Sequence, residues 1–124
     1  VLRGGAEGPN YDAAAILHAT RQLHASGANP RMIVDCSHDN SGKDHERQPD
    51  VCRAVADQVK AGQSSIVGVM IESNIVAGKQ SSSADPCSLV YGQSITDACV
   101  DLATTEAMLL ELADASRQRR KQAA

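Results

Sequence analysis

The apolar residues of this chain fall into two kinds of run. Met32-Ile33-Val34 and the longer Ile66-Val67-Gly68-Val69-Met70-Ile71 are short, continuous and rich in β-branched side chains, the pattern of strands buried on both faces. Each stops abruptly in polar residues, and Val1-Leu2 reads as the tail of another such strand. Between these runs the apolar positions spread to helical spacing. A helix is expected from about Asp12 to Ser26, with Asp12 as N-cap and Gly27 at the C′ position. A second, from about Pro49 to Ala61, has proline at N1, Val51, Val55 and Val59 along one face, and Gly62 as its stop. Its residues Asp50, Arg53, Asp57 and Lys60 point away from that face. A long loop rich in serine and glycine follows at roughly residues 74–94. A third helix then runs near Thr104 to Arg120, with Met108, Leu109, Leu112 and Ala113 facing inward.

Alternation of buried strands with helices forces parallel strands joined by right-handed crossovers, so the fold class is α/β. The polar turn after each strand then falls on one edge of the sheet. Arg3, His38 and Glu72 recur about one βα unit apart, each at the C-terminal end of its strand. A barrel of such units takes its catalytic residues from those strand ends, and a doubly wound sheet binds ligands at the same edge. No glycine-rich nucleotide motif follows a strand, which favours the barrel. A solenoid of similar period fits less well, because buried strands open the units and the long loop breaks the repeat.

The 124 residues have room for one domain, and 42% apolar with 22% charged residues is ordinary for a globular protein. No apolar run approaches the roughly 20 residues of a membrane-spanning helix, and nothing resembles a signal peptide, so a soluble, cytoplasmic protein with no membrane partner is expected. A net charge of −3 argues against a nucleic-acid surface, and the basic run Arg117 to Lys121 suits a solvated helix end. Cys36, Cys52, Cys87 and Cys99 form no C-x-x-C pair, which fits reduced thiols in a cytosol. Two tyrosines without phenylalanine or tryptophan leave few bulky core anchors, and the first residue is not methionine. The chain therefore reads as a fragment, one incomplete domain over residues 1–124.

His38, Glu72 and Asp97 offer one neutral nitrogen and two carboxylate oxygens, a donor set suited to a divalent transition metal with open positions for substrate. Each also has an ordinary reading. A histidine after a strand is commonly a surface residue, a glutamate ending one is a solvated terminus, and Asp97 ahead of an apolar stretch suits a helix cap. Against that, a carboxylate directly after a continuous apolar run needs a cation or several donors. Arg3-Gly4-Gly5 sets a guanidinium beside flexible backbone, an arrangement for gripping phosphate or carboxylate, or simply an exposed arginine before a turn. Lys43 and His45 lie in the loop from Asn40 to Arg47 and remain unassigned.

Several segments occur together and in order over nearly the whole chain. They are Leu2-Arg3-Gly4-Gly5, Gly8-Pro9-Asn10-Tyr11-Asp12, Asp35-Cys36-Ser37-His38 with Asn40-Ser41, Gly68-Val69-Met70-Ile71-Glu72-Ser73, and Tyr91-Gly92 through Ser94-Ile95-Thr96-Asp97-Ala98-Cys99. The set resembles the class I 3-deoxy-D-arabino-heptulosonate 7-phosphate (DAHP) synthases. The resemblance implies a (β/α)8 TIM barrel, of which this chain would be the C-terminal portion from about the end of the sixth strand to the eighth helix. It implies a metal-dependent aldol-type transferase that joins phosphoenolpyruvate to erythrose 4-phosphate at the head of the shikimate pathway to aromatic amino acids. Arg3 would bind the phosphate of phosphoenolpyruvate. His38, Glu72 and Asp97 would be three of four ligands to a divalent metal ion (manganese, iron, cobalt or zinc), the fourth being a cysteine on an upstream strand. Cys36, two residues before His38 on the same strand and expected to point to the same side, does not occupy that position.

By the same resemblance the metal would act as Lewis acid on the aldehyde of erythrose 4-phosphate, C3 of phosphoenolpyruvate would attack, and water would add at C2 before phosphate leaves. The upstream lysines and arginines of both substrate sites, and the region that binds a feedback-inhibiting amino acid, fall outside the sequence. Val100-Asp101-Leu102 departs from the Ile-Gly-Trp that relatives often carry, without touching the ligands. The partners expected are therefore the two substrates, the remainder of the barrel and further copies in a homo-oligomer, the isolated chain being inactive. A barrel aldolase or lyase of another substrate, and a non-catalytic truncated paralogue that only self-associates, are the competing readings.

Overall fold

The computed structural model describes residues 1–82 and 85–122. The elements in chain order are α1 (Ala13–Ala25), β1 (Met32–Asp35), α2 (Gln48–Lys60), β2 (Ile66–Met70), β3 (Val76–Lys79), β4 (Gln93–Ser94) and α3 (Leu102–Gln122). Single 3₁₀ turns lie at His38–Asn40, His45–Arg47 and Pro86–Ser88. No helix among the described residues is long and apolar enough to cross a membrane.

Local chemistry sets the helix ends. The Asp12 carboxylate accepts from the Ala14 and Ala15 backbone N–H groups at 2.8 and 3.0 Å and caps α1, as expected. Past its end Gly27 takes φ 72°, a left-handed conformation that costs glycine nothing. In α3 the cap is Asp101, whose Oδ1 accepts from Thr104 N at 2.8 Å, so the helix begins earlier than the expected Thr104. That backbone contact holds the Asp101 carboxyl below the usual carboxylate range.

β1 and β2 pair in parallel, Met32 opposite Ile66 and Asp35 opposite Met70. Leu2 joins β1, its N–H donating to Ile33 O at 2.9 Å while Asp35 N–H donates to Leu2 O at 2.8 Å. A further segment joins where the sequence showed only a loop. Val100 forms a parallel bridge with Ser73, accepting from Asn74 N and donating to Glu72 O, both at 2.9 Å. The chain thus supplies strand positions at Leu2, β1, β2 and Val100, one more than the apolar runs indicated. Two-residue pairing carries too little hydrophobic pattern to be seen in sequence.

The expected loop at 74–94 contains the small parallel ribbon β3–β4, with Val76 opposite Gln93 and Lys79 opposite Ser94. Its residues Ser83 and Ala84 lie outside the described residues. Gly92 is required here: at φ 78° an added Cβ would sit 2.6 Å from Ile75 Cβ.

All three helices pack on one face of the sheet. Ile16 of α1, Met32 and Val34 of β1, Val55, Ala56 and Val59 of α2, Ile66 of β2 and Ala115 of α3 form one cluster. Cys36, Val51, Cys52, Val100 and Met108 form a second. The Val51, Val55 and Val59 face of α2 is buried as expected. On α3 the inward row is Met108, Leu112 and Ala115, whereas Leu109 is 53% exposed and not inward-facing. Burial on both faces does not hold for the strands within this chain, since Ile33 and Met70 remain 40% and 37% exposed on the face that no helix covers. Within the basic run, Arg119 is tied down, donating to Gln63 O at 3.0 Å.

One buried side chain joins the strand ends to each other. Asn40 is fully buried; its Nδ2 donates to Asp35 O at 2.8 Å and Leu2 O at 3.2 Å, and its Oδ1 accepts from Asn10 N at 2.8 Å. Asn10 in turn accepts from Gly4 N at 2.7 Å. Gly4, at φ 77°, lets this segment approach: a Cβ there would lie 2.7 Å from Asp39 Cβ and 2.9 Å from Asn40 N. Asn40→Ala should therefore destabilise the protein by about 3 kcal/mol, because it strands buried backbone groups that each cost about 1–3 kcal/mol unpaired. Urea denaturation of the full-length protein measures it, and a loss below about 0.5 kcal/mol would show that the frame does not depend on Asn40.

Candidate metal centre

The C-terminal ends of the parallel segments turn into one cavity of about 310 Å³, lined by Arg3, His38, Asp39, Lys43, Glu72, Lys79, Asp97 and Ala98. His38, Glu72 and Asp97 each bring one ligand atom within 4.8 Å of the others. Bonds of about 2 Å from a common divalent ion span that separation after small side-chain movements, and three donors leave coordination positions open. One imidazole nitrogen and two carboxylates are also the donor chemistry such ions take. The residues fit a metal.

His38 enters the cavity by a backbone turn. β1 ends at Asp35, and His38 takes φ 47°, left-handed for a residue with a side chain, a conformation worth of the order of 1–3 kcal/mol in strain. The turn brings its Nδ1 to 2.6 Å from Oδ2 of the fully buried Asp35, whose Oδ1 accepts from Ser37 N at 2.7 Å. Nε2 then faces Glu72, 3.8 Å from Oε1. Lys43, also left-handed at φ 62°, closes the loop by donating its N–H to His38 O at 2.7 Å.

Glu72 is gripped at both ends. Ser37 Oγ donates to its Oε2, which leaves Oε1 towards the histidine. Its backbone is clamped by Gln48, the first residue of α2 and fully buried: Gln48 Oε1 accepts from Glu72 N at 2.9 Å and Gln48 Nε2 donates to Glu72 O at 3.1 Å. The carboxylate itself thus has the Ser37 hydroxyl as its donor, while Gln48 satisfies the backbone at the strand end. Asp97 is exposed and caps no helix, that task falling to Asp101. The cavity balances Arg3, Lys43 and Lys79 against Asp39, Glu72 and Asp97.

Cys36 does not face this cavity. It is fully buried on the helix side with Cys52, Val51 and Met108. A hydrogen bond to the Cys52 sulfur, then burial, push the Cys36 thiol well above its usual range. His45 lines a separate groove with Glu46, Pro49 and Asp101. The sequence reading assigned no role to Asp35, Ser37 and Asn40, although they stand in the quoted segments. It missed Gln48 altogether, because a glutamine beside a helix-starting proline carries no signal of burial.

Comparison with known proteins identifies the family. The description of the DAHP synthetase I family matches residues 1–110. The chain is 52% identical over 121 residues to phospho-2-dehydro-3-deoxyheptonate aldolase AMT16 of Alternaria alternata, covering 97% of this chain and 32% of that protein. It is 46% identical over 112 residues to the Tyr-sensitive phospho-2-dehydro-3-deoxyheptonate aldolase of Escherichia coli K12, covering 90% and 31%. The solved phospho-2-dehydro-3-deoxyheptonate aldolase of Francisella tularensis SCHU S4 superposes with a TM-score of 0.89 at 44% identity, over 94% of this chain and 33% of that one. The chain therefore spans about a third of the length of the relatives it matches.

The Gln48 clamp makes a prediction of its own. Gln48→Met keeps the volume and removes both contacts to Glu72, so the Glu72 amide should exchange with solvent at least about tenfold faster, the equivalent of roughly 1.4 kcal/mol of lost protection. Hydrogen-exchange mass spectrometry reads this on the full-length protein. Unchanged protection at Glu72 would mean that the bridge to Val100 alone holds that strand end.

Proposed function

Because this chain belongs to the DAHP synthetase I family, we propose that it works as part of a DAHP synthase, a longer catalytic barrel condensing phosphoenolpyruvate with erythrose 4-phosphate to DAHP and phosphate, the first step of the shikimate pathway. The observation that carries this reading is the convergence of His38, Glu72 and Asp97 on one point beside Arg3, at the C-terminal edge of a parallel sheet.

A divalent ion bound by His38, Glu72 and Asp97, with a fourth ligand from outside this chain, would supply Lewis acidity to the aldehyde oxygen. Arg3 would hold the phosphoenolpyruvate phosphate in its planar fork, on backbone that Gly4 lets lie close to Asp39 and Asn40. Lys43 and Lys79 add positive charge to the same cavity and favour anionic substrates there. In the reaction C3 of phosphoenolpyruvate forms the new bond to the aldehyde carbon, water adds at C2, and phosphate departs. The contribution of this chain is placement: two substrates held in register react as one unit.

The uncovered apolar face of the sheet supports the barrel. Ile33 and Met70 would point into its interior, where the remaining strands would pack against them. With α3 as the eighth helix, Leu2, β1 and β2 would belong to the sixth, seventh and eighth strands, as the resemblance implies. By itself the chain would lack the fourth metal ligand and the rest of both substrate sites, and would be inactive. The whole protein would act in the cytoplasm as a homo-oligomer.

In the full-length protein, His38→Ala and Glu72→Ala should each lower bound metal and turnover at least about a hundredfold while the fold survives, since ligands at strand ends lie outside the packed layers. Full activity in metal-depleted Glu72→Ala protein would refute the reading. Arg3→Lys should raise KM for phosphoenolpyruvate about tenfold and change that for erythrose 4-phosphate less. The isolated 124-residue chain should self-associate through its open sheet and release no phosphate from the substrates, as light scattering and a phosphate assay would record. An active monomer would show that the rest of the barrel is dispensable.

A further inference from the structure

We infer that Asp35 is a positioning residue for this site, and that its buried carboxylate fixes the tautomer of His38. The inference rests on the reading of His38 as a metal ligand and deepens it.

Asp35 is fully inaccessible to solvent and does not itself line the cavity, which it reaches only through His38. Both its oxygens are engaged, Oδ1 by the Ser37 N–H at 2.7 Å and Oδ2 by His38 Nδ1 at 2.6 Å. A buried carboxylate needs donors at both oxygens, because an unpaired lone pair there meets neither water nor a cation. If Nδ1 carried its lone pair towards Oδ2, two acceptors would face each other within hydrogen-bond distance. Nδ1 therefore carries the proton and donates it, and the lone pair of the neutral ring lies on Nε2, the atom that faces Glu72 and the cavity.

The backbone agrees with this account. His38 adopts φ 47° against its steric preference, and that turn is what carries its ring back over Asp35, three residues earlier. Ser37, between the two, gives its N–H to Asp35 and its hydroxyl to Glu72. One buried carboxylate thus sets both the direction of the ring and the nitrogen that is free. Asparagine in its place would keep the oxygen that accepts from Ser37, but its amide N–H would point at Nδ1 and favour the other tautomer. A proton on Nε2 would then block the position a metal needs.

The test uses the full-length, metal-free protein with ring-15N-labelled histidine, the His38 signals being identified by their loss in His38→Gln. Wild type should show His38 Nδ1 protonated, and Asp35→Asn should move the proton to Nε2. Binding of manganese(II) alone, measured from free-ion electron paramagnetic resonance, should weaken about 10–100-fold in Asp35→Asn. An unprotonated Nδ1 in the wild type overturns the inference without any variant having to fold. Unchanged manganese binding in Asp35→Asn, with binding lost in His38→Ala, overturns the role of Asp35 and leaves the metal site standing. Unchanged binding in His38→Ala removes both.

Discussion

Asn40 places its whole amide on backbone groups of three separate segments, with hydrogen bonds of 2.8 to 3.2 Å to Leu2, Asp35 and Asn10. Backbone polar groups at the end of a buried strand have run out of ladder partners and cannot reach water, so something must satisfy them. Here the satisfying groups are side chains of the residues that follow the strand. Asn40 serves the ends of the first segment and β1, and Gln48 serves the end of β2. Each is fully buried; Asn40 holds Leu2, next to the cavity residue Arg3, and Gln48 ties Glu72 itself to α2. The positions of Arg3, His38 and Glu72 follow from this requirement more than from any attraction among the three.

The same requirement divides β1 and its extension into two environments. Val34 and Cys36 go under the helices, while Ile33 faces the uncovered side. His38 would continue the Cys36 side if the strand ran on, but the left-handed backbone at His38 breaks the alternation. A thiol and an imidazole two residues apart therefore meet opposite surroundings: Cys36 is buried against Cys52, and His38 is half open to the cavity. Strain at one residue separates a core position from a chemical one.

A sheet with helices on one face and apolar side chains open on the other is half of a layered structure. The chain spans about a third of its relatives' length, and on its uncovered face Ile33 and Met70 stay 40% and 37% exposed. The cavity lies along the rim of that face. Glu72 and Asp97 sit on either side of the β3–β4 ribbon, which separates them by a long stretch of sequence and folds back to bring them together.

What the sequence determined by itself is what depends on local pattern. The β-branched runs gave β1 and β2, Asp12 and Gly27 gave the ends of α1, and the Val51, Val55 and Val59 spacing gave the buried face of α2. Polar residues at strand ends gave His38, Glu72 and Arg3 as candidates, and the ordered segments gave the family. Tertiary structure decided the rest, because contacts between distant residues leave no periodic trace. Val100 becomes a strand position only because Glu72 and Asn74 offer it partners, and the inward row of α3 shifts to Ala115 because α2 sets which side is covered. Asp35 and Gln48 read as ordinary polar residues until burial forces each to find its partners at the edge where His38 and Glu72 meet.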